Sequence, residues 1–475
     1  MLIRKCLTGV AFTIASTILI NNFSPAFSEP KAKTDVKPEA WQEQHGTKTF
    51  SGVLEKNIFP GQDWWKQFND AKLNGYVSDA FSNNFSLKTA IDRINESKEI
   101  VAEVKSIQRP YISLGAGSQH LRSISQSTGA LNTLNLYDMP LQASFELDLF
   151  GKNKLKVESV QKIEEEQIKE NEISRLTISS EVTAAYFNLI ESDALIKTSQ
   201  DLIDDLNQSL KLRQMLYEGG VIAYDDVFLT EKNLSQAKES LTEFLNQRDT
   251  FAHQLCVLRG IKPQSEKYIS RASIDELNIP PNIPVGIPSA LITHRPDVVE
   301  AELALEKLHI DVNEARKEFL PSINLTGAFG FASDKLSNLF NWGNDIFQLG
   351  GGLLQPLYTG GYNTAKLKYE KALAEEKLHN YYSVLLTSFK EVEDSLALFK
   401  NHYNDYQEMS SEIGKDKHYV DLAQIRVNAG FGTRLDYLDT KRQLLSDEIL
   451  VQQNKIKSMI DIISLYKALG GGYGS

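Results

Sequence analysis

Cysteine is almost absent from this chain, with two residues in 475. That excludes a disulfide framework. Positive charge is also in deficit: 51 lysines and arginines face 62 aspartates and glutamates, and the formal net charge is −11. A nucleic-acid binder needs a basic stripe, so no nucleic-acid partner is expected. Beyond Ile20 no stretch is apolar for the roughly 20 residues that a transmembrane helix needs. The mean hydropathy of −0.30 also argues against a multi-span helical protein. Yet 41% hydrophobic residues is too many for a disordered chain. The motifs of chemistry are missing too. The eight histidines show no HExxH or paired metal spacing. Gly115-Ala-Gly117 and Gly350-Gly-Gly352 lack the Lys-Ser/Thr of a phosphate cradle. Cys256 reads as a small buried hydrophobe. No catalytic set, metal site or cofactor is expected.

The N-terminus supplies the first positive signal. Arg4 and Lys5 precede an uncharged run at residues 7–20, and Ala26 and Ser28 stand at −3 and −1 of a small-residue cleavage site. This pattern predicts a secretory signal at 1–28, cut before Glu29. The run is short for a membrane anchor. Cys6 lies before it, misplaced for lipoprotein processing, so no lipid anchor is expected. The protein is expected to be exported, and either soluble or membrane-spanning as a β-barrel.

Length alone would suggest about three domains. Internal similarity replaces that expectation. An offset of 210 pairs Gly220 with Gly430, Asp226 with Asp436, Thr230 with Thr440 and Leu234 with Leu444. Near that offset, Pro110-Tyr-Ile-Ser-Leu matches Pro321-Ser-Ile-Asn-Leu. The chain reads as two copies of one unit, at 73–260 and 289–470. An N-terminal segment at 29–72, a linker at 261–288 and a tail at 471–475 frame them, the first two assigned to a mixed equatorial region. Each copy holds a helical stretch (73–106 or 289–318), a β-hairpin and a very long helix (152–216 or 362–427). A glycine turn and a shorter helix (225–258 or 435–469) close the unit.

The second long helix carries Leu378, Tyr382, Leu385, Phe389, Val392, Leu396, Phe399, Tyr403 and Tyr406. The steps alternate four and three, the seven-residue repeat of a coiled-coil seam. The first is less regular, with Val182, Tyr186 and Leu189, then Leu202, Leu206 and Leu210. Without Pro or Gly between Lys152 and Leu216, each helix should run for about 100 Å at 1.5 Å per residue.

The segment 141–150 alternates strictly: Leu141, Ala143, Phe145, Leu147 and Leu149 face one way, Gln142, Ser144, Glu146 and Asp148 the other. Ile112 and Leu114 begin a similar pattern, as do Ile323, Leu325, Phe329 and Phe331, and 345–357 supplies a glycine-rich fourth. About ten residues suits a tilted strand crossing a bilayer. Tyr111, Tyr137, Trp342 and Tyr358 at the ends suit interfacial belts. Four strands cannot close a membrane barrel, and an open edge in lipid leaves backbone groups unpaired. Membrane staves therefore imply an oligomer, and a trimer would give a 12-stranded barrel. The alternative from the strands alone is a soluble sandwich.

Several short matches fall in order along nearly the whole mature chain. They are Trp64-Trp65-Lys-Gln-Phe68, Phe145-Glu-Leu-Asp-Leu-Phe-Gly151, Arg295-Pro-Asp-Val298, Phe319-Leu-Pro-Ser-Ile-Asn-Leu325, Glu391-Val-Glu-Asp394 and Leu465-Tyr-Lys-Ala-Leu-Gly-Gly-Gly472. Through them the chain resembles the outer-membrane efflux protein family, the TolC-like channel-tunnels, most closely the drug- and metal-efflux branch. That resemblance implies a mainly helical fold with a membrane β-barrel portion and a coiled-coil tunnel through the periplasm. It also implies a homotrimer in outer-membrane lipid, a periplasmic adaptor and an inner-membrane pump, proton-driven rather than ATP-driven. The function implied is a passive exit duct. A periplasmic coiled-coil scaffold or a type I protein-secretion duct are the alternatives.

Gly430 ends one helix, and Asp436, Asp439 and Arg442 follow at spacings of three on one face of the next. A solvated acidic first turn favoured by the helix dipole explains this equally well. In a trimer, Asp436 and Asp439 would ring a narrow opening and attract cations. Arg442 and Arg434 would pair with acids and hold it shut. Asp226 is the first-copy counterpart, with Tyr224 beside it. The resemblance places the family's closed periplasmic aperture at these positions. Gly219, Gly220 and Gly430 are expected to shape adaptor-docking turns.

Overall fold

Two uninterrupted helical segments set the architecture. A computed structural model of the chain describes residues 61–124, 131–280 and 294–472. The expected signal at 1–28, most of the 29–72 segment, the residues 281–293 and the end of the tail lie outside them. The elements run α1 (Ala71–Asn83), α2 (Phe85–Ser106), β1 (Tyr111–Leu114), β2 (Gly117–Ile124), β3 (Leu131–Leu147), α3 (Lys152–Glu218), α4 (Tyr224–Leu258), α5 (Pro296–Lys317), β4 (Ser322–Ser333), β5 (Asp345–Leu354), α6 (Tyr362–Asn428) and α7 (Arg434–Ala468). The helices α3 and α6 each have 67 residues, and α4 and α7 each have 35. Lys152 and Tyr362 begin the long pair, Tyr224 and Arg434 the short pair, and both differences are 210. The duplication is thus visible in helix lengths as well as in matched residues. Among the described residues no helix is long and apolar enough to cross a membrane.

The seven-residue seam of α6 packs as its spacing predicts. Val392 and Phe399 are buried, and the other seven seam residues are half-buried. The seam meets α7 and α5, while α3 packs against α2, α4, α5 and α7. Along each long helix two shorter ones meet end to end, and a polar side chain closes each joint. The helix expected over 73–106 breaks at Asn84. Its backbone turns extended, its Oδ1 accepts from the N–H groups of Ser86 and Leu87, and its Nδ2 donates to the Leu258 carbonyl at 2.8 Å. In the second copy Arg295 donates to the carbonyl of Ala468 at 2.7 Å. It also bonds Asp297 and Glu391, at 2.7 Å each for Nη2. Leu258 and Ala468 are counterparts, so each joint satisfies the same orphan carbonyl at a helix C-terminus. Arg295 is only 7% exposed.

The main core gathers beside these joints. Trp64, Trp65 and Phe68 lie in a short 3-10 turn at Trp64–Phe68 and pack on Tyr186 and Phe187 of α3 and Met459, Ile462 and Tyr466 of α7. Ring contacts tie the set together, with Phe68 on Phe187 at 4.8 Å and Trp64 on Tyr466 at 5.6 Å. Cys256 is fully buried within it.

The strands form one antiparallel sheet in the order β1-β3-β4-β5, with β2 also on β3. The first stave, expected as one strand, is divided into β1 and β2. Both keep the same register on β3, and the gap falls at Pro140, which has no N–H to donate. The stave expected at 141–150 begins earlier, at Leu131, and ends at Leu147. Leu149 and Phe150 lie in a turn. Asp148, expected on an inner barrel row, instead accepts a hydrogen bond from the Lys154 N–H in the first turn of α3. Gly330 allows β4 to approach β3 closely, since a Cβ there would lie 2.2 Å from the Met139 carbonyl oxygen.

The two faces of the sheet differ in chemistry. One row across four strands is Ser113, Gln142, Ala328 and Gln348. The next row on that face is Tyr111, Ser144, Thr326 and Gly350. The opposite face carries Leu114, Leu141, Phe329 and Phe347, then Ile112, Ala143, Gly327 and Leu349. Phe347 and Leu349 are 74% and 77% exposed in the single chain. Phe331, Phe340 and Trp342 cluster at one end of the staves.

Candidate functional site

The two turns that join long to short helices have the same hydrogen bonding. After α3, the Val221 N–H donates to the Leu216 carbonyl and the Gly220 N–H to that of Tyr217. After α6, Phe431 donates to Arg426 and Gly430 to Val427. This is the Schellman arrangement, which needs a left-handed residue just past the helix. Gly220 (φ 70°) and Gly430 (φ 78°) fill that position. Gly219 has φ −79°, and its counterpart is Ala429, so glycine is not required there. The residues that follow, Val221 and Phe431, both project into solvent.

The short helices then begin differently. In α7, Thr433 and Asp436 form a capping box: the Asp436 N–H donates to Thr433 Oγ1, and the Thr433 N–H donates to Asp436 Oδ2. Hydrogen bonding to Thr433, side chain first and backbone second, holds the Asp436 carboxyl below its usual range. In α4 the cap is Ala223, without a side-chain bond, and the Tyr224 ring instead packs at a tilt against Tyr217, centroids 5.5 Å apart. Asp226 is exposed in the first turn. Thr230 and Thr440 repeat one detail, each hydroxyl donating to the carbonyl of Asp226 or Asp436.

Asp439 does not stand free beside Asp436. Arg213 of α3 grips both of its carboxylate oxygens through Nη2, at 3.0 and 2.8 Å, and Arg442 reaches Oδ1 at 3.0 Å. Arg434 donates to Gln424 and Gln208 and lies 4.6 Å from the Tyr437 ring centroid. The structure therefore brings Asp439 and Arg442 together and leaves Asp436, Asp226 and Tyr224 apart from them. Deeper in the same α3–α7 seam, Asp205 is 0% exposed, with Lys441 Nζ at 3.9 Å. Among the described residues neither of its oxygens has a hydrogen-bond partner. Burial pushes its carboxyl up to about 6.

Sequence reading missed Arg213, Asp205 and Lys441. Arg213 sits in the last turns of a helix, without spacing to any acid on its own element. Its counterpart 210 residues on is Ala423, and that of Asp439 is Leu229, so the duplication does not repeat the pair. Asp205 did carry a signal: an ionisable residue beside Leu202, Leu206 and Leu210 falls within an apolar helical stripe.

A family model described as outer membrane efflux protein matches residues 76–260 and 287–471. The chain is 26% identical to the probable efflux pump outer membrane protein TtgC of Pseudomonas putida, over 94% of this chain and 92% of that one. It is 25% identical to the outer membrane protein OprJ of Pseudomonas aeruginosa, over 99% and 97%. Its fold matches the crystal structure of the CmeC outer membrane channel of Campylobacter jejuni with a TM-score of 0.78, at 23% identity, over 89% of this chain and 90% of that one.

Proposed function

The chain belongs to the outer membrane efflux protein family, and on that footing we propose that three copies close a twelve-stranded barrel in outer-membrane lipid above a helical tunnel gated at its periplasmic tip. Its place in the outer membrane, and its role as a non-enzymatic exit channel that works with a periplasmic adaptor and an inner-membrane pump, come with the family.

That copies assemble rests on one observation, the two-faced sheet with open edges, and the count of three follows the family resemblance. Its apolar rows suit lipid and its polar rows suit a watery lumen. Among the described strands, β1 with β2 at one edge and β5 at the other each pair with a single neighbour. Exposed backbone groups cannot face lipid, so the edges must meet those of further copies. The drug- and metal-efflux branch it resembles supports a proton-driven pump over an ATP-driven exporter.

At the tip, Asp436 and Asp226 supply the exposed carboxylates of an acidic, cation-attracting aperture. Asp439, with Arg213 and Arg442, ties α7 to α3 and keeps the aperture shut. Arg434 and the tilted Tyr217–Tyr224 ring pair steady the two turns. Gly220 and Gly430, with Gly219 beside them, shape the turns that present Val221 and Phe431 to the adaptor. Reversal potentials across a planar bilayer under a salt gradient test the aperture. The double substitution Asp436→Ala with Asp226→Ala should lower the preference for cations, and an unchanged reversal potential would refute the ring.

A further inference from the structure

The α3–α7 seam contains a carboxylate with no hydrogen-bond partner among the described residues. Asp205 points from α3 toward α7 and is wholly covered. From α7 it faces Lys441, Arg442, Asp439 and Arg434. On its own helix Arg213, two turns nearer the tip, is committed to Asp439. From the other flank α4 meets this stretch of α3 with Leu234 and Ala237 around Leu206. The nearest cation, Lys441 Nζ, is 3.9 Å away, at the limit of an ion pair. A buried carboxylate without hydrogen bonds is costly, and the cost falls on whichever conformation buries it.

In the channel reading that conformation, with α7 packed on α3, is the closed one. We propose that Asp205 is a proton-operated latch on the periplasmic gate, tightening the closed tip when protonated and loosening it when charged. This rests on the channel reading above and adds a regulatory input to its gate. Asp205 differs in kind from the aperture carboxylates. Asp436 is exposed and held below the usual carboxylate range by its cap, so it stays charged while Asp205 titrates.

The sign follows from linkage. In the closed seam the Asp205 carboxyl is pushed up to about 6 by burial. Once α7 swings away and water enters, it returns to about 4. Between these values the closed state binds more protons, so closure is favoured as pH falls and weakens as pH rises toward 6. Above about 6 the charged form predominates in both states and the effect levels off. From about pH 5 to about pH 7 the open-to-closed ratio should rise by about tenfold per subunit.

Single-channel recording of the full-length protein in planar bilayers over that pH range tests the latch. The wild type should open more at about pH 7 than at about pH 5. Asp205→Asn, which mimics the protonated side chain, should hold the low open fraction throughout. Lys441→Met removes the nearest cation and should move the pH midpoint upward, which keeps the test available if Asp205→Asn does not assemble. Conducting wild-type channels with no pH response, or an Asp205→Asn profile matching the wild type, overturn the latch while leaving the channel intact. No conductance from the wild type at any pH overturns the channel reading, and the latch with it.

Discussion

Asp439 holds two arginines at once, Arg213 from α3 and Arg442 one turn along its own helix. Nη2 of Arg213 meets both Asp439 oxygens while Nε of the same guanidinium donates to Ser209 Oγ, and the single ammonium of lysine cannot hold both ends of that planar arrangement. Arg213→Ala should therefore raise leak conductance about fivefold, equivalent to about 1 kcal/mol of lost closure. Arg213→Lys should restore only part. A double-mutant cycle with Asp439→Ala checks the assignment, because a coupling near zero would show that the pair does not act as one unit. The acids of the tip were legible in sequence because duplicated landmarks frame them. Their partners were not, because pairing across α3 and α7 depends on which helix faces which. A spacing rule reads one helix at a time.

At the scale of elements, the turns and joints give two further tests. Gly220 adopts a left-handed conformation and Gly219 does not. Gly220→Ala should cost about 1–2 kcal/mol at the turn, and Gly219→Ala far less. The comparison is read as adaptor affinity and as protease cleavage at the tip, and equal effects would contradict the Schellman geometry. At the second-copy joint, Arg295→Met leaves the Ala468 carbonyl without its donor, in surroundings that exclude water. The expected loss is about 2 kcal/mol, visible as a lower midpoint of thermal unfolding in detergent. The long helices were readable because α6 keeps a seven-residue seam and neither long helix contains proline. The break at Asn84 and the split at Pro140 were missed for a shared reason. Each depends on a backbone group whose partner lies elsewhere, the Leu258 carbonyl in one case and the Gly115 region of the facing strand in the other.

At the scale of the whole molecule, a low mean hydropathy and an acidic balance coexist with a membrane role. Only short alternating staves meet lipid, while the long helices stand in water. The sheet of one chain is a fragment, since its apolar face is exposed and, among the described strands, each edge has a neighbour on one side alone. Alternation made this legible in the sequence, and edge pairing in lipid then demanded an oligomer. The number of subunits came from the resemblance and not from the periodicity. The aperture depends on that assembly, because a single copy encloses no opening, and the latch acts on that aperture. Native mass spectrometry of the protein extracted from outer membranes in mild detergent measures it directly. The expected species has three times the mass of the mature chain. A mass of one or two chains, or recovery in the soluble periplasmic fraction alone, would contradict the account.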